Sequence, residues 1–294
     1  GQDVMSTIFI GLCVAITALP VSIRILMDLG KLNSPVGQKI ISVAIFDDVI
    51  ALTILGILLD LKDVEPTFAN ISQATVFTVL KLVVFLIIIA LTYKLIQKLA
   101  QKENFIENQL NLILTFLKGK ESLFAVFFVF ILIFATMTES IGLHFIIGAF
   151  FASMLISKEL VGEKHLETFH NTTNSMAMGF LAPIFFAGIG LEFQFSSIQN
   201  YPLLFAIIGV SFLSKIIGGY IGGRFARLNH KVSLALGIGL NARGIMELVI
   251  ANIAYKAGII NTEIFSMLVI MGLITTLSTP FLLKRAFKSI EKIV

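Results

Sequence analysis

The sequence predicts an all-α polytopic membrane protein with about nine transmembrane helices. Three observations carry that prediction. Hydrophobic residues make up 57% of the 294-residue chain and charged residues only 14%, with a mean hydropathy of +0.96, far from the balance of a soluble domain. Apolar runs near the roughly 20 residues that cross a bilayer recur along the whole length. None alternates with a period of two, as a barrel strand would, and lipid forces backbone groups to be satisfied within each segment, so the runs read as helices.

Taken in order, the runs cover 4 to 27, 36 to 59, 74 to 97, 122 to 138, 142 to 157, 175 to 191, 201 to 223, 232 to 256 and 262 to 284. The mixed stretch 98 to 121 reads as an amphipathic connection lying on the cytoplasmic surface. Lysines and arginines divide unequally between alternate connections, seventeen on one side and three on the other, with Lys215 and Arg243 inside helices. The positive-inside rule then places the C-terminus in the cytoplasm and residue 1 outside. This topological use of basic residues removes nucleic acid as a partner. The single cysteine, Cys13, excludes a disulfide framework and a cysteine metal site. The chain opens at Gly1 and enters an apolar run within a few residues, which reads as a shortened N-terminus.

Two runs are interrupted near mid-span: the first at Thr17-Ala18-Leu19-Pro20 and the eighth at Asn241-Ala242-Arg243-Gly244. By the topology above these helices run in opposite directions. Paired broken helices in inverted halves point to a secondary-transporter site at the midplane. Six runs follow 74 to 97 and two precede it, so about four counterparts are expected upstream if it joins equal halves.

Chemistry concentrates in a few polar residues. Asp47 and Asp48 lie about 16 to 18 Å from either end of their run, where neither can snorkel. A carboxylate at that depth costs about 2.5 to 3.5 kcal/mol on insertion scales, so the pair marks an ion or proton pathway. Neighbouring helical residues point about 100° apart, so one carboxylate can bind an ion while the other faces a partner helix. Hard cations take oxygen ligands, and Asp48 with the opened turn at Thr17 supplies them. A carboxylate that takes either a proton or a cation exchanges one for the other. Lys215, roughly 12 Å from the inner end of its helix, needs a buried anion, and an aspartate answers that need. Cation binding then breaks the pair and frees a second proton. Arg243 and Glu247 are four apart on one face and read first as a mutual ion pair, then as a gating pair. Asn241 reads as a cap or as a member of the crossing.

Other signals are discounted. The glycines at 218, 219, 222 and 223 sit at helix-packing spacing rather than in a phosphate loop. Glu139 and His144 read as loop polarity, and Arg24 as a snorkelling residue. An intramembrane aspartyl protease, the reading from another class, needs carboxylates from two helices converging on one water, which neighbours on one helix cannot supply. No enzyme is expected, nor a channel, since no pore-lining ring is visible.

Phe46-Asp47-Asp48, the stretch Asn241-Ala242-Arg243-Gly244-Ile245-Met246-Glu247-Leu248, and Phe185-Phe186-Ala187-Gly188-Ile189-Gly190-Leu191 resemble the monovalent cation:proton antiporter-2 family. The resemblance implies an inverted-repeat fold with two discontinuous crossing helices, working as a homodimer whose core moves as an elevator against a dimerisation domain. It implies that Asp48 binds the cation and proton, that Asp47 pairs with Lys215, that Thr17 lies at the unwound crossing and Glu247 on the opposite broken helix. On this resemblance residues 1–60 end the first repeat, 61–121 link the repeats, 122–200 carry dimerisation-side helices and 201–294 carry the second set of core helices. The expected cargo is Na⁺, with K⁺ or Li⁺ as alternatives, against H⁺. No cofactor is expected, and the setting is a prokaryotic plasma membrane.

Overall fold

A computed structural model describes residues 4–60, 68–100, 122–157 and 162–291. Twelve α-helices are described: α1 (Val4–Ala15), α2 (Leu19–Asp28), α3 (Pro35–Asp60), α4 (Phe68–Ala100), α5 (Ser122–Ser140), α6 (Phe145–Leu155), α7 (Glu163–Met176), α8 (Ala182–Glu192), α9 (Tyr201–Phe225), α10 (His230–Gly239), α11 (Ile245–Lys256) and α12 (Thr262–Glu291). Seven stretches among the described residues are long and apolar enough to cross a membrane, with α1 and α2 counted as one and α7 and α8 as another. The two remaining predicted runs are the short α6 and the interrupted pair α10 and α11.

Two boundaries differ from the sequence reading for physical reasons. The run 142 to 157 yields only 11 helical residues, about 16 Å of helix against a hydrocarbon core of about 30 Å. Gly142 turns with φ +76°, and the His144 ring accepts a hydrogen bond from the Ile146 amide at 3.4 Å, capping α6. His144 is thus more than loop polarity. The run 175 to 191 extends back to Glu163: α7 is polar, but its Leu166 and Phe169 pack against Leu123 and Phe127, which stabilises helix where hydropathy alone gives none. A π turn at Ala177–Leu181 joins α7 to α8. The surface connection expected at 98–121 falls largely on residues outside those described.

The chain divides into two compact units, one of residues 1–58 with 189–294 and the other of residues 59–188. In the second, α5 packs on α6 and α7, and α4 on α6. Phe127 meets Phe169 edge-on at 4.9 Å, and Phe85 meets Phe151 at 6.0 Å.

The first unit holds every polar residue singled out above except Glu139 and His144. Its apolar cluster joins Ile25 and Leu26 of α2, Val36 and Ile40 of α3, Ala235, Leu236 and Ile238 of α10 with Leu240 just beyond it, and Leu283 and Phe287 of α12. Helix α9 packs on α10, both pack on α12, and α1 packs on α11 and α9. The α9–α10 approach is backbone to backbone: a methyl group added at Gly219 would lie 2.5 Å from the Gly237 Cα. A methyl group added at Gly218 or Gly222 would meet nothing within 4 Å, whereas one at Gly223 would meet Ser233. The glycine cluster therefore serves packing at two positions and leaves room at the other two. Phe46, Phe205, Leu213 and Phe281 are exposed, a surface suited to lipid.

Candidate functional site

The site is built on the two helix breaks. Beyond Ala15, α1 would continue if the amides of residues 17, 18 and 20 returned to the carbonyls four residues earlier. None does. The Thr17 amide donates to Asp47 Oδ2 at 2.6 Å, and the Ala18 amide to the Ala242 carbonyl at 2.8 Å. Pro20 has no amide proton to give. The carbonyls of Cys13, Val14 and Ile16 lose their helical donors as a result.

Arg243 replaces those donors. Its Nη1 donates to the Cys13 carbonyl at 2.6 Å and the Ile16 carbonyl at 3.3 Å, and its Nη2 donates to the Val14 carbonyl. A guanidinium is well matched to three carbonyls, because it presents several donors in a planar fork and its charge opposes the negative end of the α1 dipole. Arg243 and Glu247 are both wholly buried, yet their closest approach is 3.8 Å, and neither Glu247 carboxylate oxygen has a hydrogen-bond partner among the described residues. The ion pair expected from spacing is present at 3.8 Å, while the shorter partners of Arg243 are backbone carbonyls. Sequence reasoning missed this role. Pro20 was the available signal, because it deprives the Ile16 carbonyl of its donor.

The second break mirrors the first. Between α10 and α11 the Leu240 carbonyl accepts from Thr17 Oγ1 at 2.9 Å, and the Arg243 carbonyl accepts from Thr276 Oγ1 at 2.8 Å. Asn241 is buried and donates to the Phe212 carbonyl at 3.3 Å. Gly244 has no room for a side chain, since a methyl there would lie 2.6 Å from Val21 Cγ2. The two interruptions touch through backbone atoms.

Helix α3 brings the aspartates to this junction. Asp47 Oδ2 accepts from Lys215 Nζ at 2.9 Å as well as from the Thr17 amide, so it joins α3, α9 and the start of α2. Its negative charge lies near the positive end of α2. Asp48, one residue on, is 4% exposed, and its Oδ1 is buried without a hydrogen-bond partner among the described residues. A cavity of about 690 Å³ is walled by Thr17, Lys39, Ser42, Asp47, Ser214 and Lys215, among others. Asp48 is not part of that wall. In this conformation the carboxylate facing the cavity is Asp47, and the 100° turn between neighbours puts Asp48 inside.

The structure joins Thr17, Asp47 and Lys215 by direct hydrogen bonds, ties Arg243 to the carbonyls of the first break, and places Asn241 in the second break, bonded to the Phe212 carbonyl. Glu247 sits beside Arg243, and Asp48 follows Asp47 with its Oδ1 unbonded. A cavity reaching a half-buried lysine–aspartate pair, where two broken membrane helices trade hydrogen bonds, defines a secondary transporter. Residues 1–288 match the family described as sodium/hydrogen exchanger, transmembrane. The chain belongs to that family, which is one of transporters and not of proteases. It is 29% identical over 288 residues to a Na⁺/H⁺ antiporter of Enterococcus hirae, covering 96% of this chain and 70% of the relative. It is 27% identical to a Na⁺/H⁺-K⁺ antiporter of Bacillus cereus, covering 99% and 70%, and 30% identical to a Na⁺/H⁺ antiporter of Synechocystis, covering 94% and 64%.

Proposed function

We propose that the protein is a monovalent cation/proton antiporter that works by alternating access, with Na⁺ as its cation, Asp48 as the group that takes cation or proton, and Asp47 as the partner of Lys215. The observation that carries this reading is the 2.9 Å Lys215–Asp47 pair at the cavity wall with buried Asp48 next in sequence. On the basic-residue topology, Lys39 marks the cytoplasmic end of α3, so the cavity is the cytoplasmic access path. A cation arriving there binds Asp48, with the Thr17 oxygen as a further ligand, and displaces the proton. Its charge weakens the hold of Asp47 on Lys215, which releases a second proton on the way to the other side. Residues 1–60 and 201–294 form the moving core in this scheme, and the dimerisation helices of 122–200 join two copies in a plasma membrane.

The second reading is K⁺/H⁺ exchange, favoured by the Bacillus cereus relative whose name includes K⁺. The purified protein in proteoliposomes loaded with a pH dye separates the two. Addition of Na⁺ or Li⁺ should collapse an imposed pH gradient. A response to K⁺ alone overturns the sodium assignment, and full exchange by Asp48→Asn overturns the role of Asp48.

A further inference from the structure

Half-helix carbonyl ends at transporter breaks are themselves cation ligands. At the end of α1 three such carbonyls, from Cys13, Val14 and Ile16, converge on one buried place. The amides that would have occupied them are committed elsewhere or, at Pro20, missing. The place is filled by a guanidinium with no exposed surface, and Ser211 adds a fourth carbonyl at 3.5 Å from Nη2. We propose that Arg243 is a tethered cation: it occupies a carbonyl cage that would otherwise take a free one, holds the α1 break open, and so confines the transported ion to the aspartate side of Thr17.

The last clause rests on the antiporter reading; the cage itself does not. Tethering matters because an ion held by these carbonyls alone would compete with Asp48 for cargo without being coupled to a proton. The fork matters because the three carbonyls are reached from two separate nitrogens, Nη1 and Nη2, whereas an ammonium offers one nitrogen on a flexible stem. Thr17 links the two sides. Its amide belongs by helix geometry to the Cys13 carbonyl, but Asp47 holds it while Arg243 holds that carbonyl. Arg243 is accordingly a positioning residue, which touches backbone and never cargo.

The test uses the purified protein in detergent and in liposomes. Arg243→Ala empties the cage, and guanidinium ion at millimolar concentration should refill it. The variant should gain thermal stability in guanidinium chloride relative to an equal concentration of NaCl and regain exchange, whereas the unaltered protein gains neither. Recovery of folded Arg243→Ala only when guanidinium is present during solubilisation supports the proposal equally. Arg243→Lys keeps the charge but loses the fork, so its exchange should fall by about tenfold or more, the loss of one or two charged hydrogen bonds. Exchange by Arg243→Lys at the unaltered rate overturns the proposal. So does an Arg243→Ala response to guanidinium no different from that of the unaltered protein. The thermal measurement decides the cage even if no cation drives exchange, which keeps its failure separate from that of the antiporter reading.

Discussion

Gly219 and Gly218 are neighbours on α9, yet alanine should act oppositely at the two. A Cβ at Gly219 lies 2.5 Å from the Gly237 Cα, 2.9 Å from the Gly237 nitrogen and 3.2 Å from Leu240 Cδ1. Carbon atoms rest at about 3.5 to 4.0 Å, so α9 and α10 must part by about 1 Å, and no rotamer change relieves backbone against backbone. Overpacking of this kind costs about 1–3 kcal/mol. Alanine returns about 1 kcal/mol of helix propensity, leaving a net loss of up to about 2 kcal/mol. At Gly218 nothing lies within 4 Å of the new methyl, and only the propensity gain of about 1 kcal/mol remains. Thermal unfolding in detergent should show Gly219→Ala below the parent and Gly218→Ala at or above it. Exchange should fall in Gly219→Ala as well, because α10 ends at the Leu240 carbonyl that receives the Thr17 hydroxyl. Equal unfolding temperatures for the two variants would refute the helix-contact argument.

The Lys215–Asp47 bond predicts a double-mutant cycle. Lys215→Ala and Asp47→Asn should each destabilise, and together they should do so by less than their sum; with both side chains partly open to the cavity the coupling is about 1–3 kcal/mol, and additive losses in chemical or thermal unfolding contradict the pair. Thr17→Val leaves the Leu240 carbonyl without its side-chain donor at a cost of about 1–3 kcal/mol; Thr17→Ser should recover most of it, and equal behaviour of the two in thermal unfolding would assign the effect to packing. His144→Ala removes the acceptor that caps α6 and should lower stability by about 1 kcal/mol, with Glu139→Ala as the surface comparison expected near zero.

The breaks in two helices were legible because proline and a polar run interrupt otherwise apolar segments, and sequence alone also placed Asp47, Asp48 and Lys215 at depths that demand partners. What stayed hidden depends on three-dimensional donors. Spacing pointed Arg243 at Glu247, since helix periodicity sees only its own helix, whereas the carbonyls of Cys13, Val14 and Ile16 come from another. The roles of the four glycines in α9 divide by what a side chain would meet, with Gly219 and Gly223 against α10 and Gly218 and Gly222 in open space, which spacing within the cluster could not separate. Hydropathy missed α7 because its helix is stabilised by Leu166 and Phe169 packing in an otherwise polar stretch. It overstated 142 to 157, where an apolar composition is cut short by the turn at Gly142.

Proton release on cation binding addresses the central claim most directly. The purified protein in weakly buffered detergent solution, with a pH-sensitive dye, should release protons when Na⁺ is added, and Asp48→Asn should release few or none while keeping the parent fold by circular dichroism. Release by Asp48→Asn equal to that of the parent would place the exchange elsewhere and contradict cation and proton competing for that carboxylate.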